Sequence, residues 1–283
     1  MPGAGIDGMG TLRAPFSDKT SDTLWAGKVQ LDYRPNEDWL LYAGINRGVK
    51  AGGFNAKLPD NQDFLDDDQI PYGEEVLTSY EVGFKSTLFD GTSQLNGSFY
   101  YYDYEDYQAF IFLSLSGIIV NNDAEVKGVE LELLTRPIEG LDLILNASYL
   151  DAEVKDLQVA SGVFRDTTPS FTPDVQWAGM LRYQWPQRLF GGSLALQASA
   201  NYVSSFYHNI RNFDSQKFSG YVVGNARVSW TSADERWTGT VFVNNIADER
   251  YKNIGFDVSA VCGCAQESYG KPRWAGISIR YSL

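Results

Sequence analysis

Apolar and polar side chains alternate along most of this chain in stretches of about 10 to 14 residues, and no 3.6-residue stripe outlasts a turn or two. In 24–34 the odd positions hold Trp25, Gly27, Val29, Leu31 and Tyr33, with Lys28, Gln30, Asp32 and Arg34 between them. A period of two puts these sets on opposite faces of a strand. The split recurs at 78–88, where Tyr80, Val82, Phe84 and Leu88 oppose Ser79, Glu81, Lys85 and Thr87. It recurs again at 92–102 (Leu95, Phe99, Tyr101 against Gln94, Asn96, Ser98) and at 126–134 (Val129, Leu131, Leu133 against Glu130, Glu132). Further strands are expected at 38–49, 141–154, 174–185, 192–206, 220–232, 236–246 and 272–283, eleven in all.

The connections alternate in length. Segments 35–38, 90–91, 137–140, 186–192 and 233–236 are short, whereas 50–73, 105–123, 155–173, 207–219 and 247–271 are long and rich in Gly, Asp, Asn and Ser. Short turns at one end and long loops at the other describe an up-and-down antiparallel sheet. Sandwich strands average about 5 to 6 residues, whereas strands of about 10 cross a bilayer at a tilt. The polar face carries Lys28, Asp32, Glu81, Lys85, Glu130, Glu132, Asp142, Asn146 and Arg182, which suits a wide, wet lumen better than a packed core. Tyr and Trp near strand ends, among them Trp25, Tyr33, Trp39, Trp177, Trp230, Trp237, Trp274 and Tyr281, fit the aromatic girdles of a transmembrane β-barrel.

Composition narrows the function classes. The formal net charge of −13 leaves no basic stripe for phosphate contacts, so no nucleic acid partner is expected. The longest apolar run, AFIFLSLSGIIV at 109–120, falls short of the ~20 residues of a membrane-spanning helix. The first 22 residues show no signal peptide, so either the protein stays in the cytosol or the chain is incomplete.

Several stretches resemble one family, the TonB-dependent outer-membrane receptors, from residue 17 onward. The clearest is VFVNNIADERYKN at 241–253, similar to the family's penultimate strand, with Asn245, Asp248 and Tyr251 at the motif positions. LLYAGINRGVKAGGFN at 40–55, EEVLTSYEVGFKSTLFDG at 74–91, VKGVELELLTRP at 126–137 and YGKPRWAGISIRYSL at the end match in order and spacing. The resemblance implies a bacterial outer-membrane location and a barrel of about 22 strands, of which the eleven here form the C-terminal half. It also implies an N-terminal plug that engages the TonB complex in the periplasm. Parity agrees: the first strand runs inward to a short turn, and single-chain barrels have even strand numbers with both ends in the periplasm. The expected organisation is a poorly ordered extracellular loop remnant at 1–22 and barrel at 23–283, with the plug absent.

No nucleophile with its base, metal cluster or phosphate loop emerges, so no enzyme, cofactor or bound metal is expected. His208 is the only histidine and reads as a solvated loop side chain rather than a base; GVKAGG at 48–53 lacks phosphate-loop spacing, and DDD at 66–68 reads as a solvated acidic loop. Cys262 and Cys264 read equally as a loop disulfide or as free thiols. The resemblance places a ferric siderophore or similar large nutrient at the extracellular mouth, where Arg47, Lys50, Asn55, Tyr72, Tyr207, His208, Asn209 and Arg211 are the candidates. The cations among them suit an anionic chelate. The alternative is a passive porin or structural barrel. The final strand places Ala275, Ile277, Ile279, Tyr281 and Leu283 toward lipid, and its end resembles the signal read by the barrel assembly machinery, with Leu283 where an aromatic is usual.

Overall fold

The computed structural model describes residues 18–21, 23–56, 70–113, 116–258 and 262–283. The chain opens with β1 (Gly27–Asn36), β2 (Trp39–Lys50), β3 (Gly53–Phe54), β4 (Pro71–Tyr72), β5 (Glu75–Leu88) and β6 (Ser93–Leu113). It continues through β7 (Ser116–Thr135), β8 (Leu141–Ala160), β9 (Val163–Thr167), β10 (Val175–Gln184), β11 (Gly192–Val203) and β12 (Phe206–Tyr207). The last elements are β13 (Lys217–Phe218), β14 (Tyr221–Ser232), β15 (Trp237–Asn244), β16 (Lys252–Val258), β17 (Cys264–Tyr269) and β18 (Trp274–Tyr281).

One antiparallel sheet runs β1-β2-β5-β6-β7-β8-β10-β11-β14-β15-β18, with β9 added on β8, so all eleven expected strands form, in the expected order. The pairs β3-β4, β12-β13 and β16-β17 lie outside it, within the long connections. Most of segment 1–22 and the DDD at 66–68 fall outside the described residues. Among the described residues β1 pairs only with β2 and β18 only with β15, so the sheet is an open wall of barrel type.

Register decides which face is which. Leu31, Ala43, Val82, Phe99, Val129 and Tyr149 lie side by side across six strands, and all are apolar or aromatic. The next row, displaced by one residue, reads Tyr42, Gly83, Ser98, Glu130, Ser148 and Gln176. The first face leaves Val29 77 % and Ile277 74 % exposed. In water that would be costly at about 25 cal/mol per Å²; against lipid tails it costs nothing. Ala275, Ile277, Ile279 and Tyr281 share the outward face of β18, opposite Val243, Val241, Gly239 and Trp237, as expected.

The expectation of long loops at 105–123 and 155–173 is corrected by the structure. β6 and β7 continue as one long hairpin past the membrane band, and β8 extends to Ala160 before β9 returns. Each extension begins with a bulge, in β6 between Tyr104 and Tyr107 and in β8 between Val154 and Leu157. Asp106 and Asp156 sit in these bulges with φ of 56° and 51°, a left-handed conformation that short polar side chains tolerate.

A bulge adds one residue to one strand and so moves the following side chains to the other face. In β6 the inward set is Tyr100, Tyr102 and Tyr104 below the bulge, all even, and Tyr107, Ala109 and Ile111 above it, all odd. In β8 it passes from Leu150, Ala152 and Val154 to Leu157 and Val159. The phase slip keeps apolar residues pointing inward where the hairpins enter water. There Ala109, Ile111, Ile118, Ala124, Val154, Leu157, Val159 and Ile210 form the chain's buried apolar cluster, flanked by Tyr104, Tyr107, Val120 and Phe213. The core therefore lies in the extracellular extensions, not between strands crossing the membrane.

Inserting one residue after Asp106 should put Tyr107, Ala109 and Ile111 on the wrong face and cost about 3 kcal/mol or more, read as lost protease resistance of 104–124. Asp106→Gly keeps the left-handed position accessible and should change stability by no more than about 0.5 kcal/mol. Equal losses in the two variants would refute the parity argument.

Candidate functional site

The long connections gather at the end of the sheet beyond the bulges. The segment joining β11 to β14 folds back as the β12-β13 pair around a single 3-10 turn at Asp214–Gln216. The hairpin β16-β17 meets it, and the buried Asp257 of β16 is the shared acceptor. Arg211 Nη2 donates to Asp257 Oδ2 at 2.6 Å and Gln216 Nε2 donates to the same oxygen at 2.7 Å. Gln216 Oε1 in turn accepts from the Phe213 amide at 3.1 Å. The guanidiniums of Arg211 and Arg165 lie 5.2 and 5.4 Å from the Phe213 ring centroid, and Arg165 also donates to the Asn212 carbonyl at 3.0 Å. Asn212 pairs with the backbone of Thr168 in both directions, at 2.6 and 2.9 Å, tying in the segment after β9. Three connections thus share one network of hydrogen bonds and ring contacts around a carboxylate.

The expected mouth residues separate into two groups. Tyr207, His208, Asn209 and Arg211 come together here: Asn209 accepts from the Arg211 amide at 3.0 Å and donates to the Phe112 carbonyl at 3.4 Å, while Tyr207 pairs with Lys217. His208 is not the solvated side chain the sequence suggested. It is 7 % exposed, its amide donates to the Gln216 carbonyl at 3.0 Å, and its ring lies 4.9 Å from that of Phe218. Burial holds its pKa below the ordinary histidine value.

The other four lie elsewhere. Arg47 shares the outward face of Leu41 and Ile45 and stacks on Trp25 at 4.3 Å, so it belongs to the outer wall rather than the mouth. Lys50 is on the lumen-facing parity at the end of β2, opposite Glu75. Asn55 exchanges two 2.7 Å hydrogen bonds with the backbone of Ile119, clamping the β2-β5 connection onto β7, and Tyr72 pairs with Gly53 in β3-β4. Asp257, Gln216 and Arg165 escaped sequence reasoning because their partners lie 41 to 47 residues away.

Asn245, Asp248 and Tyr251 organise the exit of β15. Asn245 and Asp248 have φ of 51° and 56°. The Asn245 side chain donates to the carbonyls of Glu249 (2.8 Å) and Lys271 (3.1 Å) and accepts from the Glu249 amide (2.8 Å). Asp248 accepts from the Arg273 amide at 2.7 Å, so the two residues close both ends of the β15-β18 connection. Tyr251 stacks on Tyr221 at 4.5 Å, and Gly270 admits its ring: a Cβ there would fall 2.0 Å from it. Cys262 and Cys264, left open as a pair or as free thiols, are disulfide-bonded beside the start of β17.

Along the lumen face the charges are held sideways. Tyr42 donates to Glu81 (2.7 Å) and Asn96 to Glu132 (2.9 Å), while Asp142 lies between Arg136 (2.7 Å) and Arg182 (3.4 Å). A concavity of about 510 Å³ opens beside Tyr42, Lys85, Asn96, Glu130, Asn146 and Gln176. The arrangement offers hydrogen-bonding walls and a structured mouth; it assembles no nucleophile with its base among the described residues.

An outward apolar face, a polar inward face and loops massed at one end define the wall of an outer-membrane β-barrel. The model of the family "TonB dependent receptor-like, beta-barrel" matches residues 6–246, and the chain belongs to that family of outer-membrane receptors. The pesticin receptor of Yersinia pestis is 25 % identical over 274 residues, 95 % of this chain and 38 % of that protein. Among solved structures, the ferric yersiniabactin uptake receptor FyuA of Yersinia pestis superposes with a TM-score of 0.72 at 21 % identity, covering 90 % of this chain and 37 % of its own. The siderophore receptor PiuA of Acinetobacter baumannii gives 0.69 at 17 % identity, covering 90 % and 35 %. The chain thus spans less than two fifths of the length of these relatives.

Arg211→Ala should cost about 3 to 5 kcal/mol, because it strips the guanidinium from a buried carboxylate, and hydrogen exchange should quicken in both 206–218 and 252–258. The double variant Arg211→Ala/Asp257→Ala should lose less than the two single losses combined; full additivity would show that the pair does not act as a unit. Asn245→Ala, which removes three hydrogen bonds and strains a left-handed position, should cost about 2 to 4 kcal/mol and loosen 246–273 in the same assay.

Proposed function

We propose that this chain forms barrel wall and extracellular mouth of a receptor that captures a ferric siderophore, or a similarly large scarce nutrient, for TonB-energised uptake. The observation that carries the proposal is the family match across 6–246, joined to the packed extracellular cluster around Asp257. The solved relatives are a ferric yersiniabactin uptake receptor and a siderophore receptor by name, which supports iron chelates as the cargo class. Residues 23–283 supply wall and connections, and we assign the plug and the TonB-coupling segment to sequence outside them. Tyr207, Lys217 and Lys50 are the side chains best placed to meet cargo, whereas Asn209 is buried. Asn55 and Arg211 hold the connections in place. The chain acts by binding and carries out no chemical reaction of its own. Its outward rows meet lipid, and β18, ending near Tyr281 and Leu283, serves the barrel assembly machinery as its recognition segment.

A receptor is favoured over a passive porin because the described connections are structured and mutually bonded. The test is growth of an iron-limited host whose receptor gene has been deleted and restored, supplied in turn with ferric catecholates, hydroxamates and phenolates. Restoration on one chelate class, lost when TonB is removed, is expected. Uptake that persists without TonB would assign the chain to a passive barrel.

A further inference from the structure

We propose that His208 is a proton-sensitive latch between two extracellular connections, the 206–218 segment and the β16-β17 hairpin. The proposal concerns the assembly of the mouth and holds whatever the cargo.

Geometry carries it. The imidazole is wedged between the Phe218 ring and the backbone of β16, where Gly255 leaves it room: a Cβ at Gly255 would come within 2.6 Å of the ring. His208 Nε2 is buried and has no hydrogen-bond partner among the described residues. A neutral imidazole tolerates that site with Nε2 as an unused acceptor. An imidazolium would bring a buried N–H⁺ with nothing to receive it, and a buried unpaired charge is not retained. Protonation is therefore accommodated by parting the two connections, which exposes the ring to water.

Charged groups facing the imidazole set the window. Asp257 and Lys252 approach from β16, and Glu267 from β17. Asp257 accepts from Arg211 and Gln216, and Glu267 is paired with Lys252, so both acids already have other partners. Their negative charge draws a proton toward the site; burial of the ring opposes this and is the larger effect. Because the closed form resists protonation, closure is complete above the ordinary histidine pKa and weakens as pH falls through it. If only the open form binds the proton, with an ordinary value near 6.5, the open-to-closed ratio rises by about tenfold between pH 7.5 and pH 5.5.

The experiment is hydrogen–deuterium exchange of the receptor carrying this chain, purified in detergent, at pH 7.5, 6.5 and 5.5, corrected for the intrinsic pH dependence of exchange. Amides of 206–218 and 252–258 should lose protection together by about tenfold at pH 5.5, while those of β14 and β15 stay unchanged. His208→Phe, which stacks on Phe218 and takes no proton, should abolish the pH response and leave the connections closed. Gly255→Ala, which intrudes on the ring, should open them already at pH 7.5, and it keeps the proposal testable if His208→Phe does not assemble. A pH-independent wild type, or an undiminished response in His208→Phe, would overturn the latch.

Discussion

Inside a lipid bilayer every backbone N–H and C=O must find a partner within the protein, because hydrocarbon offers none and each unpaired group costs several kcal/mol. That constraint organises the whole molecule. It requires unbroken ladders, and the registers from β1 through to β18 provide them by pairing each strand with its sequence neighbour in the sheet. Once the ladders are set, period two leaves one row of side chains toward lipid and one toward the lumen. The outward row is apolar from Leu31 across to Tyr149. The inward row can carry Glu81, Glu130, Asp142 and Arg182 because water and cross-strand partners reach them.

Beyond the bilayer the same strands meet the opposite demand. Water satisfies the backbone, but apolar side chains must now turn inward. The bulges at Asp106 and Asp156 make that reversal without breaking either strand. What they create is a small soluble core perched on a membrane wall, with Leu157 and Val154 fully enclosed. On that core rests the polar network of Arg211, Gln216 and Asp257, which fastens together connections widely separated in the chain. Among the described residues these connections therefore form one packed body and not a fringe of independent loops.

Much of this was legible in the sequence. Alternation over 24–34, 78–88 and 272–283 located strands and faces correctly, because a lipid-facing row is a purely local signal. The family was legible from ordered short matches such as 241–253, whose Asn245 and Asp248 prove to be turn residues with positive φ. The hairpin extensions were not. The inward set changes parity at 105–106 and at 155–156, and only in β8 did the apolar pattern itself slip, from Ala152 and Val154 to Leu157 and Val159, as a clue in the sequence. Arg47 was placed in the mouth for its charge, although its odd position in β2 already put it with Leu41 and Ile45 on the outer wall. His208 and Asp257 lay beyond reach, since their burial comes from chain segments tens of residues away and leaves no local pattern.

The most direct test of the account is a nitroxide scan of β6, one label at a time from Leu95 to Ile111, in the receptor reconstituted in bilayers. Accessibility to oxygen, which concentrates in lipid, is compared with accessibility to a water-soluble nickel chelate. The account predicts oxygen maxima at Leu95, Gly97, Phe99 and Tyr101, a break at 105–106, and a protected inward set at Tyr107, Ala109 and Ile111 above it. An uninterrupted alternation through 95–111, or uniform access of the water-soluble reagent to the outward positions below the bulge, would contradict it.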